Sequence, residues 1–486
     1  MLDPLSLLPL SIAAHGGRVD DFEAQQLVAA GLTLLQRSAP LVRALSGKRA
    51  AILLPTGPAF FVALAASEGR AAVLINPLAS PSEISYQLAD ANVGAVFTIG
   101  PLAGGLPPEF ARVLLDDAPA TARVLIGGAS RDVDLGSHHG LSIEGDADVA
   151  GSDDAAVIVY TSAMAGRPLG AMVSHRNLLA NARSSIAAIG NTSDDRVLAV
   201  LPFSHLFGLS VTASAPLLSG AKIVTMPRFN PSRAAELIAV GEITEVVGVP
   251  AVFRALLGAM ERRGPGAQAG ALNMCICGGA PLPLELQDRW FDATRTELRQ
   301  GYGLTEAGPV CLFNRADRPN ARGTLGTPLP NVEVELRAPI AYDANGRASE
   351  ADRLVGDSNA DGEICVRGDN VFIGYVSAGE GGLPVRDGWL HTGDLGRRMP
   401  DGSIAFAGLV KPMFTRNGFN IYPREIERVA REMPGVELAE ASEARAAGRE
   451  PDIELAVRGA VTASAVKAWC GERLSAYKQP TVITIL

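Results

Sequence analysis

The side chains that could do chemistry fall in six short stretches spread along the chain. The first is Val157 to His175, VIVYTSAMAGRPLGAMVSH, in which a β-branched apolar run leads into a loop of small residues. A strand feeding such a loop brings backbone N–H groups close to phosphate oxygens. Thr161, Ser162 and Gly166 are the loop residues suited to that task. Phosphate loops usually also carry more glycines, further hydroxyls and a lysine, but here Ala163, Met164, Ala165 and Leu169 stand in those places. The other five stretches are Leu201-Pro-Phe-Ser-His-Leu-Phe-Gly208, Gly278-Gly-Ala-Pro-Leu282, Gly301-Tyr-Gly-Leu-Thr-Glu306, Gly388-Trp-Leu-His-Thr-Gly-Asp394 and Gly418-Phe-Asn-Ile-Tyr-Pro-Arg-Glu-Ile-Glu427. Taken singly, each has an ordinary structural reading. Thr305-Glu306 after a glycine turn can simply start a helix. Asp394 in a Gly-Asp pair can form a turn, and Tyr302, His205 and the Cys275-Ile276-Cys277 run can be core.

The elements that must position these stretches read as alternating strand and helix. Strands are expected at Arg49–Leu54, Ala71–Ile75, Ala95–Ile99 and Ala155–Val159. Further strands are expected at Val197–Leu201, Lys222–Met226, Glu245–Val249 and Met274–Cys277. Between them fall helices at Ala59–Glu68, Pro81–Ala91, Pro231–Val240, Val252–Arg262 and Pro283–Leu298, with one or two more in Asp21–Leu45. This rhythm predicts parallel sheets covered on both faces. After Gly326 short strands at Val332–Leu336, Glu363–Val366 and Ser403–Phe406 lie among Gly, Pro and Asp, which predicts an antiparallel or barrel-like subdomain. A tail unit begins near Lys411, with helices at Arg424–Glu432 and Thr462–Leu474 and a strand at Ile453–Val457. Ala103–Pro108 and His138–Asp148 read as exposed loops. The fold class is therefore α/β: a large N-terminal domain, residues 1–411, of two parallel α/β subdomains plus a small β subdomain, and a shortened α+β C-terminal domain, residues 412–486.

Length and charge narrow the classes of function. At 486 residues the chain exceeds what one core organises, so at least two folding units are expected. A net charge of −9 argues against a nucleic-acid partner, because phosphate-backbone binding wants a basic face. No apolar run is long enough to span a bilayer, and the N-terminus has no basic leader and is broken by Pro4 and Pro9. Five cysteines without CxxC spacing read as buried reduced thiols of a cytoplasmic protein.

In this order the six stretches resemble the adenylate-forming superfamily of acyl-CoA synthetases, peptide-synthetase adenylation domains and luciferases. GYGLTEAGP, DGWLHTGDLG, NIYPREIE and AYKQP are most similar to the medium- to long-chain fatty acid–CoA ligases. The resemblance runs from about residue 20 to the end. It implies that a small carboxylic acid, with a medium to long acyl chain, attacks the α-phosphate of ATP, and that CoA or an acyl-carrier protein's pantetheine then displaces AMP. It also implies roles. Glu306 would hold Mg²⁺, Thr305 would contact the α-phosphate, and His205 would lie near the carboxylate. Adenine would lie on Tyr302 within the Gly301–Gly303 turn, beside the backbone of Gly279 and Ala280. Asp394 would accept both ribose hydroxyls.

The departures from the family pattern gather at ATP-handling positions. Ala163, Met164, Ala165 and Leu169 replace a glycine, two threonines and a lysine, and Arg167 is the basic residue nearest to them. Leu409 stands where the family has an arginine, and Pro412 stands at the hinge, where a fixed φ restricts rotation. The family's last segment, with the lysine that drives adenylation, would lie beyond Leu486, while Lys478 reads as a solvated surface residue. Two readings follow. One is an acyl-activating ligase using ATP and Mg²⁺. The other is a non-adenylating homologue that binds an acyl chain, an acyl-adenylate or an acyl-carrier protein, or performs only the transfer step.

Overall fold

The computed structural model describes residues 4–67, 70–136, 143, 145, 151–161, 168–263, 270–338, 360–377, 384–410, 414–416, 419–444 and 452–486. The alternating apolar runs form two nine-stranded sheets among these residues. In spatial order the first is Gly374–Tyr375, Leu169–Ser174, Ala155–Thr161, Ala72–Leu74, Arg49–Ile52, Val93–Thr98, Ala111–Leu114, Thr121–Ile126 and Ala129–Asp134. Its middle pairs are parallel. Strands covered on both faces are apolar throughout, and Val93–Thr98 is buried at every position. Helices Ala24–Arg37 and Pro58–Ala66 pack beside one another, and their buried residues join this core.

The second sheet runs Thr327–Pro328, Val310–Phe313, Leu298–Gly303, Met274–Cys277, Glu245–Gly248, Arg196–Ala199, Lys222–Thr225, Arg18–Val19 and Phe22–Glu23. It too is parallel through the middle. The region after Gly326 is antiparallel, as its texture predicts: Val332–Arg337, Gly362–Gly368, Trp389–Arg398 and Val385–Arg386, with Ile404–Leu409 also on Trp389–Arg398. From Phe414 onward the chain builds a core of its own around Ile426, Leu455 and Val466. There Val436–Ala444, Asp452–Gly459 and Val482–Ile485 form a sheet beside helices Pro423–Arg431 and Ala463–Arg473. The expected 411/412 boundary and Pro412 lie outside the described residues.

Three expectations need correction. The helix expected to reach Leu298 stops at Thr294, because Arg295 turns left-handed and Leu298 opens a buried strand paired with Cys275. Ala103–Pro108 is not an exposed loop throughout: Gly100–Ala103 is a short helix, and Ala103 and Leu106 are buried. Lys478 is not a solvated surface lysine. It is buried between Glu83 and Glu425, whose carboxylates it bridges. All five cysteines are buried, and no helix among the described residues is long and apolar enough to cross a membrane.

Candidate functional site

Three of the motif stretches lie at the carboxyl ends of sheet strands, where open α/β sheets present their loops to ligands. Thr161 ends Ala155–Thr161, Gly278 follows Met274–Cys277, and Gly303 ends Leu298–Gly303. Backbone closeness dictates two of the glycines. A Cβ on Gly278 would sit 3.0 Å from the Phe207 ring and 3.2 Å from the Gly301 carbonyl, so the 201–208, 278–282 and 301–306 stretches meet here. A Cβ on Gly303 would lie 1.9 Å from the Pro309 carbonyl, across the irregularity in the ladder between Tyr302 and Gly303.

That bend throws Thr305–Ala307 into a single 3₁₀ turn. Asn370 pins the turn through its Nδ2 to the Ala307 carbonyl at 2.8 Å, and Phe372 N–H donates to the Glu306 carbonyl at 2.9 Å. Thr305 is half-buried in the turn. The Glu306 carboxylate accepts from the Tyr375 hydroxyl at 2.9 Å and, at the long distance of 3.4 Å, from Thr161 Oγ1, both on Oε1. Burial raises its pKa and these hydroxyls oppose the rise. A carboxylate held by neutral donors in a low-dielectric setting, with its second oxygen outside those bonds, suits a hard divalent cation.

The second centre is Asp394. Its turn is fixed by Gly393 N–H donating to Glu363 Oε1 at 2.9 Å and by the Thr392 hydroxyl donating to the Ile364 carbonyl at 2.8 Å. His391 Nδ1 lies 3.1 Å from the other Glu363 oxygen. The Tyr302 hydroxyl donates to Asp394 Oδ2 at 2.5 Å. Burial pushes the Asp394 carboxyl up to about 6, against the pull of Tyr302. A carboxylate has about four acceptor positions, so a second oxygen remains to receive hydroxyls.

His205 lies exposed, with Nδ1 accepting from Phe207 N–H at 3.2 Å. Gly279 is exposed in a left-handed turn, with Ala280 half-buried beside it. Ser162, Gly166, Ala163, Met164, Ala165 and Arg167 lie outside the described residues. Two leucines stand in register with the two centres: Leu169 pairs with Thr161, and Leu409 pairs with Asp394.

Sequence reasoning missed Tyr375. It lies 69 residues beyond Glu306 and reaches it because Gly374–Tyr375 adds to the edge of the strand that follows the loop, with Tyr375 opposite Ala171. No local signal marks it. It also missed the acids around Lys478, since Glu83 reads only as a capping-box residue of its helix.

Comparisons with known proteins show the family and the fold. The family described as AMP-binding enzyme matches residues 41–376. A feruloyl-CoA synthase from an Amycolatopsis species is 31% identical over 396 residues, covering 80% of this chain and 74% of that protein. A long-chain-fatty-acid–CoA ligase from Escherichia coli O157:H7 is 27% identical over 472 residues, covering 90% and 82%. Among solved structures, a malonyl-CoA ligase with methylmalonyl-CoA and AMP bound is 26% identical with a TM-score of 0.76, covering 98% of this chain and 96% of that one. The fold alone is shared with an amide bond synthetase from Marinactinospora thermotolerans, at 21% identity and a TM-score of 0.78, covering 99% and 95%. With the family match spanning most of its length, the chain belongs to the AMP-binding enzyme family.

Proposed function

We propose that the chain is an acyl-activating ligase that converts a small carboxylic acid to its thioester by way of an acyl-adenylate. The observation that carries this is the pairing of two centres: Tyr302 with Asp394, and Thr161 and Tyr375 with Glu306. In the first half-reaction a carboxylate oxygen bonds to the α-phosphorus of ATP and the bond to pyrophosphate breaks. In the second a thiol sulfur bonds to the acyl carbon, AMP leaves with the electron pair, and the thiol proton goes to solvent or base. Catalysis of this kind is largely positioning and charge neutralisation. Asp394 would take the ribose hydroxyls, Tyr302 and the Gly279–Ala280 backbone would flank adenine, and Thr305 would meet the α-phosphate. Glu306 would hold Mg²⁺, which when bound neutralises phosphate charge. His205, near the convergent glycine loops, would face the acid. The CoA ligases among its relatives support CoA as the acceptor, and the fatty-acid-like motifs support a medium to long acyl chain. ATP and CoA as co-substrates support a cytoplasmic setting.

A second reading draws support from Leu169 and Leu409. Apolar side chains stand in register with Thr161 and Asp394, where the family pattern has cations. This favours weak grip on pyrophosphate, and hence a protein that takes a ready-made acyl-adenylate and performs only the transfer to a thiol. ATP–pyrophosphate exchange with Mg²⁺ and a panel of fatty and cinnamic acids separates the two. Acid-dependent exchange supports the ligase. Its absence, with AMP released from a supplied acyl-adenylate and CoA, supports the transferase.

A further inference from the structure

Lys478 makes a contact that the ligase reading does not use. Its ammonium is buried and donates to Glu83 Oε1 at 3.0 Å and to Glu425 Oε1 at 2.8 Å, so it ties the tail unit to the helix Pro81–Asp90 of the first sheet. Ser475 also donates to Glu83 Oε2, and Ser82 Oγ donates to the Arg473 carbonyl at 3.2 Å. Glu83 meanwhile caps its own helix by accepting from Ser80 N–H at 2.9 Å. Burial alone would raise the Glu83 pKa, but Lys478, Ser475 and Ser80 carry it below the usual range.

The same helix reaches the two strand ends beside Glu306. The Tyr86 hydroxyl donates to the Pro168 carbonyl at 3.0 Å, immediately before Leu169–Ser174. The Tyr160 hydroxyl donates to Asp90 Oδ2 at 2.6 Å, from the residue before Thr161. The Tyr86 and Tyr160 rings meet edge to face at 6.0 Å. The other Asp90 oxygen accepts from Ser377 at 2.7 Å, two residues beyond Tyr375. One rigid ten-residue helix therefore has its first turn held by the tail unit and its later turns attached to Tyr160, Pro168 and the Tyr375 strand.

We propose that Lys478 is a positioning residue: by seating the tail unit on Glu83 it fixes the helix Pro81–Asp90, and through Tyr86 and Asp90 that helix sets the mouth of the hairpin that carries Thr161. This deepens the ligase reading, because it makes the docking of the tail unit a determinant of nucleotide binding. A rigid element attached at both ends is a physical route for such coupling.

Hydrogen exchange on the intact chain tests it without requiring activity. The amides to follow are those of Thr161 and Leu169, opposite each other at the hairpin mouth, and of their neighbours Tyr160 and Gly170. Lys478→Met should speed their exchange about tenfold, a change of about 1.4 kcal/mol in opening free energy. It should also loosen Ala463–Arg473. Tyr86→Phe keeps the Lys478, Ser475 and Ser82 contacts to the tail unit, and should speed the mouth amides by a similar factor while Ala463–Arg473 exchanges as in the wild type. The proposal stands only if both variants loosen the mouth. Wild-type rates there in Tyr86→Phe overturn it even if Lys478→Met unfolds the tail unit. Wild-type rates in Lys478→Met alone remove Lys478 from the linkage. In pyrophosphate exchange both variants should raise the KM for ATP more than they lower kcat. A wild-type chain without exchange would defeat the adenylating ligase reading while leaving the hydrogen-exchange result to decide this one.

Discussion

Replacing Tyr302 by Phe keeps the ring and removes one hydroxyl, which isolates its bond to Asp394. That bond, 2.5 Å long, favours the ionised carboxylate, while burial opposes it and leaves Asp394 titrating at about 6. A hydrogen bond to a charged group contributes about 1.5–3 kcal/mol. The half-exposed site screens part of this, so about 1.4 kcal/mol is the working figure, equivalent to about one pH unit. The direction follows: losing the donor destabilises the carboxylate, raises the pKa and moves the midpoint from about 6 towards about 7. If the ribose hydroxyls need the ionised form, nucleoside affinity must rise with pH through these midpoints. Adenosine is the ligand of choice, because it has no phosphate to titrate. Calorimetry across the range from acid to mildly alkaline pH should show wild-type affinity levelling off above about 6 and the variant levelling off about one unit later. The two should converge at high pH. A common midpoint for both proteins, or a variant weaker by a constant factor at every pH, would refute the coupling between Tyr302 and Asp394.

Other outcomes follow from the same geometry. Tyr375→Phe leaves Glu306 with Thr161 as its one remaining hydroxyl donor among those described, so the Mg²⁺ concentration for half-maximal exchange should rise about tenfold. The acid limb of the pH profile should also move upward, because the lost donor had been lowering the Glu306 pKa. An unmoved Mg²⁺ titration would remove Tyr375 from the site. Leu169→Lys with Leu409→Arg places cations in register with Thr161 and Asp394, and should tighten ATP binding measured by calorimetry. If nucleotide affinity stays the same, the two leucines do not face the phosphates. His175 accepts from Leu8 N–H while buried, and its pKa is lowered from 6.5 to about 4 by burial. A folded pKa below the unfolded one means that stability is full above about 6.5 and falls as pH drops towards about 4, by up to about 3 kcal/mol. Urea midpoints at neutral and acid pH should show this loss in the wild type and a smaller one in His175→Asn; an equal loss in both would assign it to other groups.

What could be read from the residues depended on how local the cause was. Val93–Thr98 and Met274–Cys277 announce buried parallel strands because apolar side chains are needed on both faces. The Gly301–Glu306 stretch announces a tight turn because Gly303 is pressed against the Pro309 carbonyl. Arg295 gave no such signal, since a left-handed arginine at a helix end carries no mark in its type, and the expected helix ran past it. The antiparallel strand Ala129–Asp134 went unread because it is largely exposed and its apolar content is low, and its partner Thr121–Ile126, with alternate residues exposed, went unread with it. Lys478 and Tyr375 were misread or missed for one reason: their partners, Glu83 and Glu306, are brought to them only by tertiary structure. For the site, Tyr302 and Asp394 were each legible as candidates because their glycine-containing motifs occur in the order of a known family, while the bond between them was not. Tyr375, whose hydroxyl donates to Glu306, and the buried Lys478 were not.

The most direct test of the central claim is calorimetric binding of a non-hydrolysable acyl-adenylate analogue, an acyl sulfamoyl adenosine, to the wild type and to Asp394→Ala. If Tyr302 and Asp394 hold the nucleoside while Thr161 and Glu306 face its phosphate end, the analogue should bind at least about a hundredfold more tightly than ATP. Asp394→Ala should then weaken it about tenfold or more. An analogue that fails to bind, or that binds Asp394→Ala as tightly as the wild type, would contradict the account.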